Sequence, residues 1–120
     1  MRSHQNLRVW QTSMLLVEEV YCLTKLFPDT ERFGLISQIR RAAVSVPSNI
    51  AEGAARGSLA DYMRFLYIAR GSLSELDTQM QLAERLGYCQ LTQPQQYLIT
   101  NTFTQLGGLI KYLRCRNGVG

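Results

Sequence analysis

The most constraining feature of this sequence is a heptad pattern that runs through residues 59–86. Its apolar side chains recur every seven residues in two rows offset by four, which are Tyr62, Ala69, Leu76 and Ala83, and Leu66, Leu73 and Met80. Rows at this spacing share one face of an α-helix and are typical of coiled-coil-like packing. Ser58 with Asp61 resembles a capping pair at the start of this helix, and Gly87 is a residue type that commonly ends one. The segment therefore predicts a long amphipathic helix that needs partner helices.

Three further segments show helical spacing. The first helix is predicted over residues 9–27 and ends at Pro28, because proline cannot continue the hydrogen-bond ladder. Its two apolar rows are Trp10, Met14, Val17 and Tyr21, and Leu16, Val20, Leu23 and Phe27. The last helix is predicted to begin at the capping pair Thr92 and Gln95, with Pro94 in its first turn. Its expected buried stripe is Leu98, Thr102, Leu106, Leu109 and Leu113.

The second helix contains a proline. Its expected buried face is Leu35, Ile39, Ala42, Val46, Ile50 and Gly53. Because this spacing continues through Pro47, we predict one helix kinked at Pro47 rather than two helices. An interior proline costs about 3 kcal/mol unless neighbours compensate, and Ser45 and Ser48 can bond nearby backbone groups. The kink either wraps the helix around its core or shapes a binding or subunit surface.

The connections between these helices are short. Residues 28–31, 57–58 and 87–91 leave no room for a crossover, so successive helices must turn back on one another. No segment alternates with a period of two, and 46% hydrophobic with 18% charged residues is ordinary for a globular chain. We predict an all-α, antiparallel up-down-up-down four-helix bundle. It forms a single domain over residues 1–120, with mobile ends at about 1–6 and 115–120.

Several features bear on the compartment of the protein. The apolar runs are too short to cross a membrane, and the N-terminus lacks the apolar core of a signal peptide. Cys22, Cys89 and Cys115 are an odd number at wide spacing. We expect them to be reduced thiols, with Cys22 packed on its helix as a small hydrophobe. The expected location is the cytoplasm, with no membrane partner.

Patterns that carry catalysis or bind metal are lacking in the sequence. The one histidine, His4, lies in the N-terminal tail, whereas a hydrolase triad needs a fixed histidine base. The sequence has no zinc-ligand spacing, no Gly-rich phosphate loop after a strand and no Glu-x-x-His pair. We therefore expect no catalytic residues, no cofactor and no metal site.

The positive charge of the chain is concentrated in one segment. Residues 32–70 carry six arginines against two acidic residues, a net charge of +4, whereas the rest of the chain has seven basic and seven acidic residues. The planar guanidinium of arginine suits phosphate. Three aromatic side chains that could stack on bases lie among these arginines, namely Tyr62, Phe65 and Tyr67. The predicted nucleic-acid-binding residues are Arg40, Arg41, Arg56, Arg64 and Arg70.

A polar stripe follows one side of the second helix. Its members recur at spacings of three and four, and they are Arg41, Ser45, Ser48 or Asn49, Glu52 and Arg56. Such a stripe is either a solvated face or a surface shared between subunits or with a polyanion, and Glu52 is placed to pair with Arg56. Structural or interface roles are predicted for Pro47, Ser48, Asn49, Glu52 and Gly53.

Three stretches carry a family resemblance. They are LRVWQTSMLLVEEVYCLT at 7–24, FGLISQIRRAAVSVPSNIAEGAARGS at 33–58 and FLYIARGSLSELDTQMQLAERLGY at 65–88. They resemble the four-helix-bundle proteins encoded in intervening sequences of bacterial 23S rRNA genes. The resemblance covers about residues 7–88 and fades over the last helix. It implies a short antiparallel bundle that assembles as a homopentameric ring.

The accessory variability protein of diversity-generating retroelements is similar in fold to this family, and its basic ring surface serves nucleic acid and a reverse transcriptase. The resemblance thus favours a non-enzymatic, ring-forming module that binds RNA or other nucleic acid. The alternative is a protein interaction scaffold with no nucleic-acid role. Surplus apolar residues also indicate a homo-oligomer, because the first helix has two apolar rows and the third adds Met63, Phe65 and Ile68 outside its heptads.

Overall fold

Four α-helices form nearly the whole of the structure. The computed structural model describes residues 2–116, and this part of the chain contains no β-strand. The helices are α1 (Arg8–Thr24), α2 (Leu35–Ala54), α3 (Leu59–Arg85) and α4 (Gln93–Arg116). Two short 3-10 helices, Ser3–Asn6 and Asp29–Glu31, precede α1 and α2. The prediction of an all-α protein with four helices is confirmed.

Contacts between the helices give their directions. Ser45 of α2 hydrogen-bonds Ser72 of α3 at 2.8 Å, whereas Gly53, eight residues later in α2, lies against Tyr62. As α2 advances, its contacts therefore move back along α3. On the other side of the bundle, Gln95 at the start of α4 donates to Glu19 near the end of α1, and Val9 at the start of α1 lines a pocket with Leu109, far along α4. Each of these helix pairs runs in opposite directions.

Helix α2 continues through Pro47, as its apolar spacing predicts. All six residues expected on its inner face are buried, with Ile39, Val46 and Ile50 fully so. Two residues after the proline, the side chain of Asn49 donates to the carbonyl oxygen of Ser45 at 2.8 Å and to its hydroxyl at 2.9 Å. Pro47 itself is buried. The bend at Pro47 stays a prediction.

Gly53 lets α2 and α3 approach each other closely. A Cβ atom at this position would lie 2.9 Å from Cβ of Phe65 and 3.1 Å from both Cδ1 and the carbonyl oxygen of Tyr62. Because one of these neighbours is backbone, only a residue without a side chain fits here. The predicted structural role of Gly53 thus has a physical cause in the α2–α3 contact.

The helix ends follow the predicted capping chemistry. Ser58 Oγ accepts a hydrogen bond from the backbone N–H of Asp61 at 3.1 Å. Before α4, the N–H of Thr92 donates to Oε1 of Gln95 at 2.9 Å, and the N–H of Gln95 donates to Oγ1 of Thr92 at 3.2 Å. These two bonds form a complete capping box. Gly87 follows α3 with φ of +81°, a left-handed conformation that favours glycine.

Two predicted details of α1 are wrong. The helix ends at Thr24 instead of residue 27, and Phe27 is buried in the connection that follows. Cys22 is exposed rather than packed. Leu16, Val20 and Leu23 of the predicted inner row are buried, and small polar residues are buried beside them. Ser13 donates to the carbonyl of Trp10, and Thr24 to that of Val20. A pattern based on apolar residues misses these two residues. Because each hydroxyl donates to a backbone carbonyl oxygen of its own helix, it can be buried without leaving a polar group unpaired.

The predicted stripe of α4 is displaced by one residue at two positions. Ile99 and Ile110 are buried, whereas Leu98 and Leu109 are only half-buried. Thr102, Leu106 and Leu113 are buried as predicted. The sequence offers adjacent apolar residues at both places, so spacing alone does not decide between them.

The ends of the chain are only partly described. Residues Ser3–Asn6 form a 3-10 helix, and the ring of His4 meets the ring of Trp10 edge-on with centroids 5.1 Å apart. Helix α4 reaches Arg116. Residues 1 and 117–120 lie outside the described residues, so the mobility of the two ends stays a prediction.

Candidate nucleic-acid interface

The five predicted binding arginines fall into two groups in the structure. Arg40 and Arg41 lie in the first half of α2, whereas Arg56 follows α2, and Arg64 and Arg70 lie in the first half of α3. Fifteen residues separate Arg41 from Arg56, and at 1.5 Å per helical residue they are about 20 Å apart. The five arginines therefore do not form one continuous surface.

Arg56 and Arg64 share the ring of Phe65. Each guanidinium carbon lies 4.7 Å from the ring centroid, in the range of cation–π contacts. Arg56 also lies 3.7 Å from Glu52, and Arg64 lies 3.7 Å from Asp61. Because all four side chains of these pairs are well exposed, the pairs add little stability and leave the guanidinium groups reachable. The pairing of Glu52 with Arg56 is as the sequence predicts.

Arg70 of the second group also belongs to a third cationic cluster, formed with Lys111 and Arg114 of α4, which were not among the predicted binding residues. Its guanidinium carbon lies 4.9 Å from the ring centroid of Tyr67, and the hydroxyl of Tyr67 accepts a hydrogen bond from Arg114 of α4. Arg70, Lys111 and Arg114 line a cleft of about 290 Å³ between α3 and α4, and no acidic side chain lines it. Gly107 also lines this cleft, and the space beside it is open, since a Cβ there would meet nothing within 4 Å.

Charge is distributed unevenly along the length of the bundle. We define the basic end as the half formed by residues 2–16, 45–72 and 105–116, which the antiparallel contacts bring together. This half holds eight arginines and lysines against two acidic residues, a net charge of +6. Its cationic residues are Arg2, Arg8, Arg56, Arg64, Arg70, Lys111, Arg114 and Arg116. The other half holds five basic and seven acidic residues, a net charge of −2.

The sequence contains a signal that would have found the basic end. In an up-down-up-down bundle, the start of α1, the end of α2, the start of α3 and the end of α4 meet at one end. If charges are summed over the half-helices that meet at one end, Lys111, Arg114 and Arg116 fall in the same group as Arg56 and Arg64. The sum over residues 32–70 does not show this difference between the two ends, because the segment runs from one end of the bundle to the other.

Arg40 is held against α1. Its Nε donates to Oγ1 of Thr24 at 2.8 Å, one of its terminal nitrogens donates to the carbonyl oxygen of Tyr21 at 3.4 Å, and its guanidinium lies 4.5 Å from the ring centroid of Tyr21. Through these contacts, the side chain of Arg40 links α2 to α1. Arg41, the next residue, is exposed.

The polar stripe of α2 is not a free surface along its whole length. Ser45 is half-buried against Ser72 of α3, and Asn49 is half-buried and bonded back to Ser45. The middle of the stripe therefore fastens α2 to α3. Ser48 and Glu52 are exposed. Of the predicted interface residues, only these two present their side chains to solvent, since Pro47 and Gly53 are buried.

The three interleaved aromatic residues have different surroundings. Phe65 and Tyr67 are half-buried beneath arginines, as described above. Tyr62 packs beside Gly53, and burial raises the pKa of its hydroxyl above the ordinary value. Tyr62 is thus part of the helix contact, and the rings near the basic surface are Phe65 and Tyr67.

No metal or membrane feature was found in the part of the chain that the structure describes. Between residues 2 and 116, no three histidine, cysteine, aspartate or glutamate side chains come together as a possible metal site. Over the same residues, every helix is too short or too polar to span a bilayer.

The fold and the charge distribution define a four-helix-bundle protein with one strongly cationic end. Over residues 5–111 the sequence matches the family described as 23S rRNA-intervening sequence protein, and the chain belongs to this family. The match includes most of α4, over which the resemblance drawn from the three quoted stretches fades. A comparison with curated proteins found no match. The predicted family is confirmed.

Proposed function

We propose that this protein is a non-enzymatic module that binds RNA through the basic end of its bundle. The observation that carries the proposal is the division of charge, +6 at one end and −2 at the other. Phosphate contacts supply most of the sequence-independent affinity for nucleic acid, and a polarised bundle presents one end to a polyanion.

The geometry of the arginines supports this role. Arg56, Arg64 and Arg70 lie against aromatic rings, which limits their side-chain freedom before any ligand arrives. A guanidinium that stacks through its face keeps its N–H edge available, and this edge matches the geometry of phosphate oxygens. The cleft of Arg70, Lys111 and Arg114 adds three cations with no acidic lining residue to compete.

The family description supports ribosomal RNA as the class of nucleic acid. The description associates the family with an intervening sequence of 23S rRNA, and we propose that this protein binds such RNA. The proposed location is the cytoplasm, where such RNA resides and where Cys22, Cys89 and Cys115, all free in the structure, would remain reduced.

We further propose that the protein acts as a homo-oligomeric ring, the pentamer that the family resemblance implies. The outer apolar row of α1 supports an interface, since Met14 is 40% and Tyr21 39% exposed, and neighbouring Leu15 is 58% exposed. If each subunit made about one to two phosphate contacts, a pentamer would make about 5–10. Light scattering should report about five times 13.7 kDa, and a mass that stays monomeric at every concentration would refute the ring.

The direct test is a titration of labelled 23S rRNA fragments at several salt concentrations. The proposal predicts tight binding at low salt and a log–log slope of affinity against salt near −5 to −9 on duplex RNA, because each neutralised phosphate releases counterions. Absence of binding at low salt, or binding that does not respond to salt, would exclude this electrostatic mode.

A further inference from the structure

An open groove lies between α1 and α2, in the half of the bundle opposite the basic end. It has a volume of about 540 Å³, within the range of sites that hold small ligands. Arg32, Arg40 and Arg41 line it together with the aromatic rings of Tyr21 and Phe33. None of the lining residues is acidic, although this half of the molecule has a net charge of −2. The groove is therefore a local cationic site in an acidic region.

The three arginines of the groove have no carboxylate partners. The ion pairs found among residues 2–116 are Arg56 with Glu52 and Arg64 with Asp61, both at the basic end. Arg40 is fixed by two hydrogen bonds to α1, which use two of the five N–H donors of a guanidinium. Its remaining donors face no protein partner, and its orientation is set before a ligand binds. Three guanidinium groups without a carboxylate partner in one groove favour a multiply charged anion such as phosphate.

Phe33 adds an exposed aromatic ring to the groove. Its side chain is 90% exposed, more than any other large apolar side chain in the described chain, and the guanidinium of Arg32 lies 5.5 Å from its ring centroid. A bare aromatic ring beside phosphate-binding arginines matches the way single-stranded nucleic acid is held, with a base stacked on the ring.

We infer that this groove binds one nucleotide, with its phosphate on the guanidinium groups of Arg32, Arg40 and Arg41 and its base stacked on Phe33. The nucleotide is either a free nucleoside monophosphate or an unpaired residue of an RNA strand. The site uses none of the cationic residues of the basic end, so its failure can be distinguished from a failure of RNA binding by the basic end.

The test is a titration of the ¹⁵N-labelled full chain with adenosine 5′-monophosphate, adenosine or inorganic phosphate, followed by amide chemical shifts. The monophosphate should shift the amides of residues 32–44 and bind more tightly than either of its parts. Phe33→Ala should weaken monophosphate binding about 5- to 150-fold, the range expected for loss of one base–aromatic stack, and leave phosphate binding unchanged. Arg41→Gln should weaken both. Leu26→Ala, which truncates a 75% exposed side chain outside the groove, is the matched control and should change neither.

Titrations with other ligands identify the source of the nucleotide and test the competing occupants of the groove. A single-stranded trinucleotide that binds more tightly than the monophosphate assigns the groove to RNA, whereas equal affinity assigns it to a free nucleotide. The inference is overturned if the monophosphate gives no shifts, if phosphate alone binds as tightly, or if a phosphotyrosine peptide binds more tightly. It is also overturned if Phe33→Ala alters the mass measured by light scattering, because Phe33 would then belong to a subunit contact.

Discussion

The hydroxyl of Tyr88 donates a hydrogen bond of 2.8 Å to Oε2 of Glu31, which joins the α1–α2 connection to the segment that follows α3. The other carboxylate oxygen of Glu31 accepts the backbone N–H of Leu35, the first residue of α2, at 3.1 Å. The bond from Leu35 and then the bond from Tyr88 lower the pKa of Glu31 from its ordinary value of 4.5. One carboxylate thus caps a helix and links two connections.

This arrangement predicts a pH-dependent effect of Tyr88→Phe. Because the pKa of Glu31 is lowered by folding, its ionised form stabilises the protein fully above about pH 4.5, and this stability is lost as the pH falls through the lower folded-state pKa. Tyr88→Phe removes part of that shift. The difference in unfolding free energy between wild type and variant should be largest near pH 6 to 7 and should shrink on acidification toward about pH 3. Urea titrations across this range check it, and a difference that stays constant would contradict it.

Two glycine substitutions should have opposite effects on stability. Gly53→Ala forces a Cβ into the α2–α3 contact, 2.9 Å from Cβ of Phe65, and should destabilise the fold by about 1–3 kcal/mol. Gly71 lies within α3, and a Cβ there would meet nothing within 4 Å. Gly71→Ala should therefore stabilise the protein by about 0.5–1 kcal/mol through helix propensity. Denaturant unfolding of both variants measures this, and equal effects at the two positions would refute the close-approach role of Gly53.

The hydrogen bond between Ser45 and Ser72 should couple α2 to α3. A double-mutant cycle with Ser45→Ala and Ser72→Ala should give a coupling energy of about 0.5–1.5 kcal/mol, as expected for a neutral hydrogen bond. Asn49 retains its bond to the carbonyl of residue 45 in all four proteins. Its bond to the Ser45 hydroxyl is lost in both proteins that carry Ser45→Ala, so this loss cancels in the cycle. Additive effects of the two substitutions would show that the serines act separately.

The sequence was sufficient to predict α2 and α3 closely. The inner face of α2 could be followed through Pro47 because a polar or charged residue flanks most of its buried positions. The capping pairs before α3 and α4 were also predictable, since the side chains that bond the first turn lie within three residues of each other. Local signals of this kind do not depend on the rest of the fold.

Other features could not be derived from local patterns. Helix α4 carries no charged residue before Lys111, so nothing in its first turns marks an outer face and the choice between Leu98 and Ile99 is open. The contact of Tyr88 with Glu31 spans 57 residues, and the pairing of Tyr67 with Arg114 spans 47. The third cationic cluster arises only when α3 and α4 are placed side by side. Its members are distant in sequence, and a count along the chain separates them.

RNA binding by the basic end can be tested directly with two variants that have the same change in net charge. Arg70→Gln with Lys111→Gln removes two cations from the basic end, and Lys25→Gln with Arg85→Gln removes two exposed cations from the opposite half. Circular dichroism would first confirm equal helix content.

The basic-end variant should bind the 23S rRNA fragment more weakly, with a salt slope shallower by about 0.7–0.9 for each lost phosphate contact. The opposite-half variant should bind as wild type does. Equal losses in both variants would show that only net charge matters, and a loss confined to the opposite half would place the RNA elsewhere on the bundle.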